Sequence, residues 1–465
     1  MSYVGLIGLG VMGENLTVNI AQKGFSISIY DKILEKTKSF HEKVCGTLEI
    51  IPTYSIEEFV NSLEKPGKII LLVPAGSPVD EVLESLSKYL DDGDIVCDCG
   101  NSFYKDTERR QSELKKKNIT FMGVGVSGGR EGALKGLSIM IGGEEYGYQA
   151  MKDLWMSVSA KVDGEPCAAY VGPRGSGHFV KMVHNGIEYA ILELIAETYD
   201  IMSNGIKLET SKIRDIFREW VKSELESYLL QITIDVLEKI DAETGLPIVE
   251  LISDKAEQKG TGRWAVQTAL DLDVPAPCIH AALTSRIIST YKEIRTLLSR
   301  RFRETKPKED VKLSENLLPY LRDSFYLTMI LSYIQGLHLI NKASRELSYN
   351  IDMLKLLKIW RGGCIISSKL IYKLIEVVQR NPEINNFLLD AELFKEVTSL
   401  EDSLRILLSN LKSTDIPTPV LDSALNYLIA LRREKLPANI LQALRDRFGY
   451  HGLERIDKPG RFQGR

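Results

Sequence analysis

The sequence predicts an α/β amino-terminal domain built on a doubly wound, mostly parallel sheet. A large all-α domain and an extended carboxy-terminal tail are expected to follow. Three observations predict this order. Strand-like and helix-like patterns alternate with short turns over residues 1–175, and long helical periodicities dominate 176–432. Over 433–465, from Arg433 on, Pro, Gly and charged residues replace regular apolar spacing.

In the first segment the strand candidates are Tyr3–Ile7, Ser26–Tyr30, Lys68–Val73, Asp94–Asp98, Thr120–Met122 and Leu137–Ile141. Helical patterns such as Ser77–Leu90 and Tyr104–Lys117 separate them, as a sheet covered on both faces requires. In the second segment the helical periods are His178–Ser203, Glu209–Val221, Pro275–Leu298 and Leu317–Glu346. Ile213, Ile216, Phe217 and Trp220 echo Met353, Leu356, Leu357 and Trp360, and each set follows a long helical period. That echo predicts a duplicated helical unit.

The chain has 465 residues, enough for two or three domains with substantial cores. Net charge is −4 and the basic residues are scattered, which argues against a nucleic-acid surface. The most basic stretch, 299–303 followed by Lys306 and Lys308, reads as a solvated helix end and connector. Six cysteines are spread along the chain without Cys-x-x-Cys spacing, so neither a disulfide framework nor a metal site is expected. The amino terminus runs directly into a strand pattern, with no leader-like or membrane-spanning apolar run, so a cytoplasmic protein is expected.

Gly8-Leu9-Gly10-Val11-Met12-Gly13 follows the first strand pattern and opens a helical one. In that context Gly8 permits a tight turn, Gly10 lets backbone approach a pyrophosphate, and Gly13 allows close helix–strand packing. The fingerprint predicts a Rossmann-type dinucleotide site. Asp31 closes the second strand pattern, where a carboxylate accepts from ribose hydroxyls and repels a 2′-phosphate. Lys32 beside it suits a 2′-phosphate. The two neighbours point to NAD and NADP respectively.

Gly172-Pro173-Arg174-Gly175-Ser176-Gly177 leads into His178-Phe179-Val180-Lys181-Met182-Val183-His184-Asn185-Gly186-Ile187-Glu188-Tyr189. Lys181, His184, Asn185 and Glu188 are spaced i, i+3, i+4, i+7 and share one helical face. Phe179, Val183, Ile187 and Ala190 line the opposite one. A solvated stripe usually repeats Glu and Lys, whereas this one mixes four chemistries. Gly186 sits mid-helix at about 1 kcal/mol, a sign of close approach. The stripe is read as ligand-facing. Ser127-Gly128-Gly129 and Asn101 fall at strand carboxyl ends, where open α/β sheets bind ligands.

These motifs resemble the decarboxylating 6-phosphogluconate dehydrogenases, a family of β-hydroxyacid dehydrogenases. So do Gln258-Lys259-Gly260-Thr261-Gly262, Trp360-Arg361-Gly362-Gly363-Cys364-Ile365-Ile366 and Leu436-Pro437-Ala438-Asn439, with Gln442, Arg445, Asp446 and His451. The matches run in order from residue 4 to about 462. The resemblance implies oxidative decarboxylation of 6-phosphogluconate to ribulose 5-phosphate in the pentose phosphate pathway. Lys181 would be the base and Glu188 the acid. Asn101, Ser127, Gly128, Gly129, His184 and Asn185 would hold the carboxylate and hydroxyls. Tyr189, Lys259, Thr261 and Arg286 would hold the phosphate. Arg445 and His451 would reach the site from the tail of a second subunit, making the active species a homodimer. The implied dinucleotide contacts are Gly8, Leu9, Gly10, Val11, Met12, Gly13, Asp31, Lys32, Ile33, Val73, Pro74, Ala75 and Asn101, and no metal is implied.

The departures from the family pattern lie on the cofactor side. Asp31-Lys32-Ile33 stands where Asn-Arg-Thr is common, Pro74-Ala75-Gly76 where Lys-Ala-Gly is, and Arg130 where Glu is. Whole-chain similarity favours NADP, with Lys32 in place of the arginine, while Asp31 favours NAD. Other readings are a different β-hydroxyacid dehydrogenase, which would not need Lys259, Arg286 and Arg445, and a non-catalytic dinucleotide sensor. The sensor has no need of Lys181 together with Glu188, and a purely structural helical oligomer explains neither glycine motif.

Overall fold

The computed structural model describes residues 1–305 and 311–463, so Lys306 and Lys308 lie outside the described residues. Seven strands open the chain: β1 (Val4–Ile7), β2 (Ile27–Tyr30), β3 (Ile50–Pro52), β4 (Lys68–Leu71), β5 (Ile95–Asp98), β6 (Thr120–Ser127) and β7 (Ser138–Gly142). With Ala168–Gly172 they form one eight-stranded sheet, ordered 168–172, β7, β6, β5, β4, β1, β2, β3. β6 and β7 pair antiparallel, and the other neighbours pair parallel. Strand order reverses beside β1, the point where an α/β sheet opens a crevice at its carboxyl edge. The strands are buried on both faces, which is why they read as apolar runs rather than alternations.

Two strands of this sheet are absent from the sequence expectation. β3 is only three residues long and ends in Pro52, and Ala168–Gly172 has just one β-branched residue. β6 runs past Met122 to Ser127, because its second half pairs with β7.

The helical part is organised by two long helices, Ser176–Asp200 and Leu318–Glu346, which pack against each other. Each is followed by a short helix, Thr210–Trp220 or Met353–Ile359, that ends at or beside a buried tryptophan. The single period expected over 275–298 is instead two helices, Pro277–Ser289 and Lys292–Thr305. The chain turns between them through hydrogen bonds from Thr290 N to Ile287 O and Tyr291 N to Ile288 O. The apolar spacing continues across the turn, so periodicity alone does not reveal it. The basic stretch 299–303 lies exposed on the second of these helices.

The tail stands off the body but is not featureless. It carries the helix Ala438–Gly449 and a two-stranded ribbon, Leu453–Glu454 with Arg461–Phe462. The helix leaves Ile440, Leu441, Leu444 and Phe448 in solvent. Among the described residues no helix is long and apolar enough to cross a membrane.

Candidate active site

The carboxyl ends of β1, β2, β4, β5 and β6 open onto one cleft of about 1080 Å³. Gly8, Gly10, Val11, Met12 and Gly13 line it after β1, and Asp31, Lys32 and Ile33 after β2. Val73, Pro74 and Ala75 follow β4, Asn101 follows β5, and Ser127, Gly128 and Gly129 end β6. Lys181 and Lys259 lie on the same wall, so the cleft joins both sets of expected residues.

The glycine turn fits a dinucleotide. A Cβ on Gly13 would come within 1.9 Å of Gly8 O, and one on Gly8 within 2.5 Å of Leu72 O, so neither position admits a side chain. A Cβ on Gly10 would meet nothing within 4 Å, which leaves bare backbone facing open cleft. The helix Val11–Gln22 begins there, and its amino-terminal N–H groups suit a pyrophosphate.

Asp31 is not simply presented to the cleft. Leu9 N–H donates to its Oδ2 at 2.8 Å and Ile33 N–H to its Oδ1 at 2.8 Å. The carboxylate therefore ties the glycine loop to the end of β2, with Lys36 Nζ at 3.8 Å from Oδ2. Leu9 is buried and contributes this N–H rather than cleft surface. Lys32 reaches across the opening to Glu81, Nζ to Oε2 at 3.2 Å.

The stripe on Ser176–Asp200 is buried, which excludes a solvated face. Lys181, His184 and Asn185 are buried and Glu188 half-buried. Part of the reason is the bareness of β6: a Cβ on Gly125 would lie 2.5 Å from Lys181 Cβ. Gly186 makes the close approach that its mid-helix position implies, but to protein. A Cβ there would meet Ala265 at 3.0 Å and Ile279 at 3.3 Å, so it seats neighbouring helices, not a ligand.

Burial pushes the Lys181 ammonium pKa down from its ordinary value, while Glu188 opposes the shift. Burial pushes Glu188 up, against Lys181 and Arg286. Both shifts favour the neutral forms, an amine and a carboxylic acid on one face. His184 is held well below its usual range by burial and by Lys181. Its Nδ1 lies 3.5 Å from Lys181 Nζ and 3.0 Å from Asn185 Oδ1. Its Nε2 lies 3.0 Å from Ser127 Oγ and 2.9 Å from Cys364 Sγ. Ile365 N–H donates to Ser127 Oγ at 3.2 Å, which leaves the serine hydrogen for His184. The neutral ring then accepts at Nε2 and donates from Nδ1 to Asn185.

Asn185 Nδ2 donates to Thr261 Oγ1 at 3.2 Å. The Arg286 guanidinium sits 3.7 Å from the centre of the Tyr189 ring. Thr261, Tyr189 and Arg286 thus gather around the far end of the stripe, and Lys259, two positions before Thr261, lines the cleft; together they are a cationic and hydroxyl set suited to phosphate. Arg445 and His451 are not brought to this site in the single chain. Arg445 is exposed and hydrogen-bonds Gln442, and His451 packs on Phe448 within the tail.

Sequence reasoning gave no role to Cys364 or Trp360. The Cys364 thiol, pushed up to about 12 by burial, contacts His184, and the Trp360 ring meets the imidazole edge-on at 5.8 Å. The motif 360–366 was visible, but its approach to residue 184 was not.

Residues 3–172 match the NAD binding domain of 6-phosphogluconate dehydrogenase, and residues 177–465 match the 6-phosphogluconate dehydrogenase C-terminal domain. The chain is 45% identical to the NADP(+)-dependent, decarboxylating 6-phosphogluconate dehydrogenase of Bacillus subtilis, covering 99% of this chain and 98% of that protein. It is 44% identical to the decarboxylating enzyme of Synechococcus elongatus, over 98% of each chain. Plasmodium falciparum 6-phosphogluconate dehydrogenase, solved in its apo form, with its cofactor NADP+ and with its substrate 6-phosphogluconate, superposes with a TM-score of 0.95. That likeness covers 99% of both chains at 37% identity. Both halves match in order and the likeness runs from end to end: the chain belongs to the decarboxylating 6-phosphogluconate dehydrogenase family.

Proposed function

We propose that the protein catalyses the oxidative decarboxylation of 6-phosphogluconate to ribulose 5-phosphate and CO2 with reduction of NADP, as a cytoplasmic step of the pentose phosphate pathway. The observation that carries this reading is the buried face on which desolvation shifts both Lys181 and Glu188 toward their neutral forms, beside a dinucleotide cleft. The relatives' names and the NADP+ complex of the Plasmodium falciparum protein support the choice of cofactor.

The dinucleotide, held by the glycine loop, Ile33, and the Val73–Ala75 turn, supplies a hydride acceptor. Neutral Lys181 takes the proton from the C3 hydroxyl as the C3 hydride departs, which leaves a 3-keto acid. The lysine, now an ammonium, hands that proton to the ketone oxygen as the C1–C2 bond breaks and CO2 leaves, which neutralises the developing charge, forms the enediol and leaves the amine neutral again. Glu188 delivers its proton to C1 of the resulting enediol, and the remaining enol proton returns to Lys181 as the ketone forms. His184, Asn185, Asn101 and the 127–129 turn orient the carboxylate and hydroxyls. Tyr189, Lys259, Thr261 and Arg286 hold the phosphate.

In this reading residues 1–175 bind the dinucleotide, and residues 176–432 bind substrate and dimerise. Residues 433–465 cross to a second copy, delivering Arg445 and His451. The apolar face of Ala438–Gly449, left in solvent in one chain, supports such a crossing.

The test is the appearance of reduced nicotinamide with 6-phosphogluconate, run side by side with NADP and NAD. Turnover with a higher kcat/KM for NADP is expected. No turnover with either, from folded protein, would shift the reading to another hydroxy acid.

A further inference from the structure

The side of the cleft beside β2, where the adenosine of a bound dinucleotide would lie, carries charges of both signs. Asp31, Lys32, Lys36 and Glu81 all line it, two carboxylates against two lysines. Asp31 is fixed by the two backbone N–H groups of Leu9 and Ile33, and Lys36 is its nearest cation. That carboxylate is a tie for the glycine loop, and its charge cannot swing away from an incoming ligand without breaking the loop. The adaptable pair is Lys32 with Glu81. They meet at 3.2 Å, with side chains 85% and 60% exposed. An ion pair so open to water is weak and readily exchanged.

We propose that Glu81, on the helix Ser77–Leu86, is a specificity-determining residue that restrains the preference for NADP over NAD by occupying Lys32. This inference rests on the dinucleotide reading above. A dianionic adenosine 2′-phosphate competes with the Glu81 carboxylate for the Lys32 ammonium and then lies beside the displaced carboxylate. A cofactor with a free 2′-hydroxyl leaves the pair intact. Glu81 therefore weakens one dinucleotide and not the other, although it belongs to none of the glycine, Asp31 or Pro74 motifs.

The experiment is direct titration of the full chain with NADPH and with NADH, followed by nicotinamide fluorescence without substrate. Glu81→Gln is expected to tighten NADPH by about fivefold at low ionic strength, with less gain as salt is added. NADH should stay within about twofold of the parent, and in a Lys32→Ala background the NADPH gain should fall below about twofold. An unchanged ratio of the two Kd values in Glu81→Gln would overturn the inference while leaving the dinucleotide reading intact. A full gain that persists without Lys32 would overturn it too, because Glu81 would then act by repulsion alone. Failure of the parent to bind either dinucleotide would remove both readings together.

Discussion

An amine moved from water into a packed interior keeps its proton less readily, and Lys181 sits in such a place, with Glu188 opposing the loss of its charge. Lys181→Met preserves much of the side chain's shape and removes the base. We expect turnover to fall by about 10²–10⁴-fold with dinucleotide binding retained. We also expect the variant to be more stable by about 1 kcal/mol at neutral pH in chemical denaturation, since a desolvated amine is gone. The sign of the pH dependence follows from the lowered pKa. Between that value and the usual 10.5 the unfolded chain binds the extra proton, so the parent's stability rises with pH and the gap to Lys181→Met narrows. A gap that widens with pH would show that Lys181 is not depressed. The helical spacing of 181, 184, 185 and 188 made this face legible in the sequence. The direction of the Asp31 carboxylate was not legible, because it depends on a loop N–H 22 positions earlier. Nor was the Cys364–His184 contact, which joins residues 180 positions apart.

At the scale of elements, the placement of Lys181 depends on how closely Ser176–Asp200 lies on β6. Gly125→Ala would set a Cβ 2.5 Å from Lys181 Cβ and 2.8 Å from Gly177 O. The helix must shift, and we expect a loss of about 1–3 kcal/mol in denaturant unfolding. A displacement near 1 Å at the base should lower kcat by about a hundredfold. Unchanged stability and kcat together would mean that the helix is not positioned by β6. Strands with apolar runs, such as β1 and β4, were readable because their residues are buried on both faces. β3 and Ala168–Gly172 were hidden by shortness and weak propensity, and the turn at Thr290–Tyr291 by an apolar period that continues through it. Gly186 drew attention for a sound reason, close approach, but its neighbours are Ala265 and Ile279.

The whole molecule carries a tail whose helix exposes Ile440, Leu441, Leu444 and Phe448, and whose Arg445 and His451 lie in solvent in one chain. Ending the chain at Arg432 is expected to raise KM for 6-phosphogluconate by at least about tenfold, through lost phosphate contacts. Dinucleotide affinity should be kept, and sedimentation should show weakened dimers. A fully active monomer, with or without the tail, would contradict a shared site. Tail composition was legible as a departure from packed structure, but its helix was masked by flanking Pro and Gly. The most direct test of the two-residue mechanism follows carboxyl-labelled 6-phosphogluconate in deuterated water. Released CO2 should be equimolar with reduced nicotinamide, and ribulose 5-phosphate should carry solvent deuterium at C1. In Glu188→Gln the deuterated product should form about 10²–10⁴-fold more slowly. Reduced nicotinamide without CO2, or deuterium entering C1 at the parent rate in Glu188→Gln, would contradict the roles given to Lys181 and Glu188.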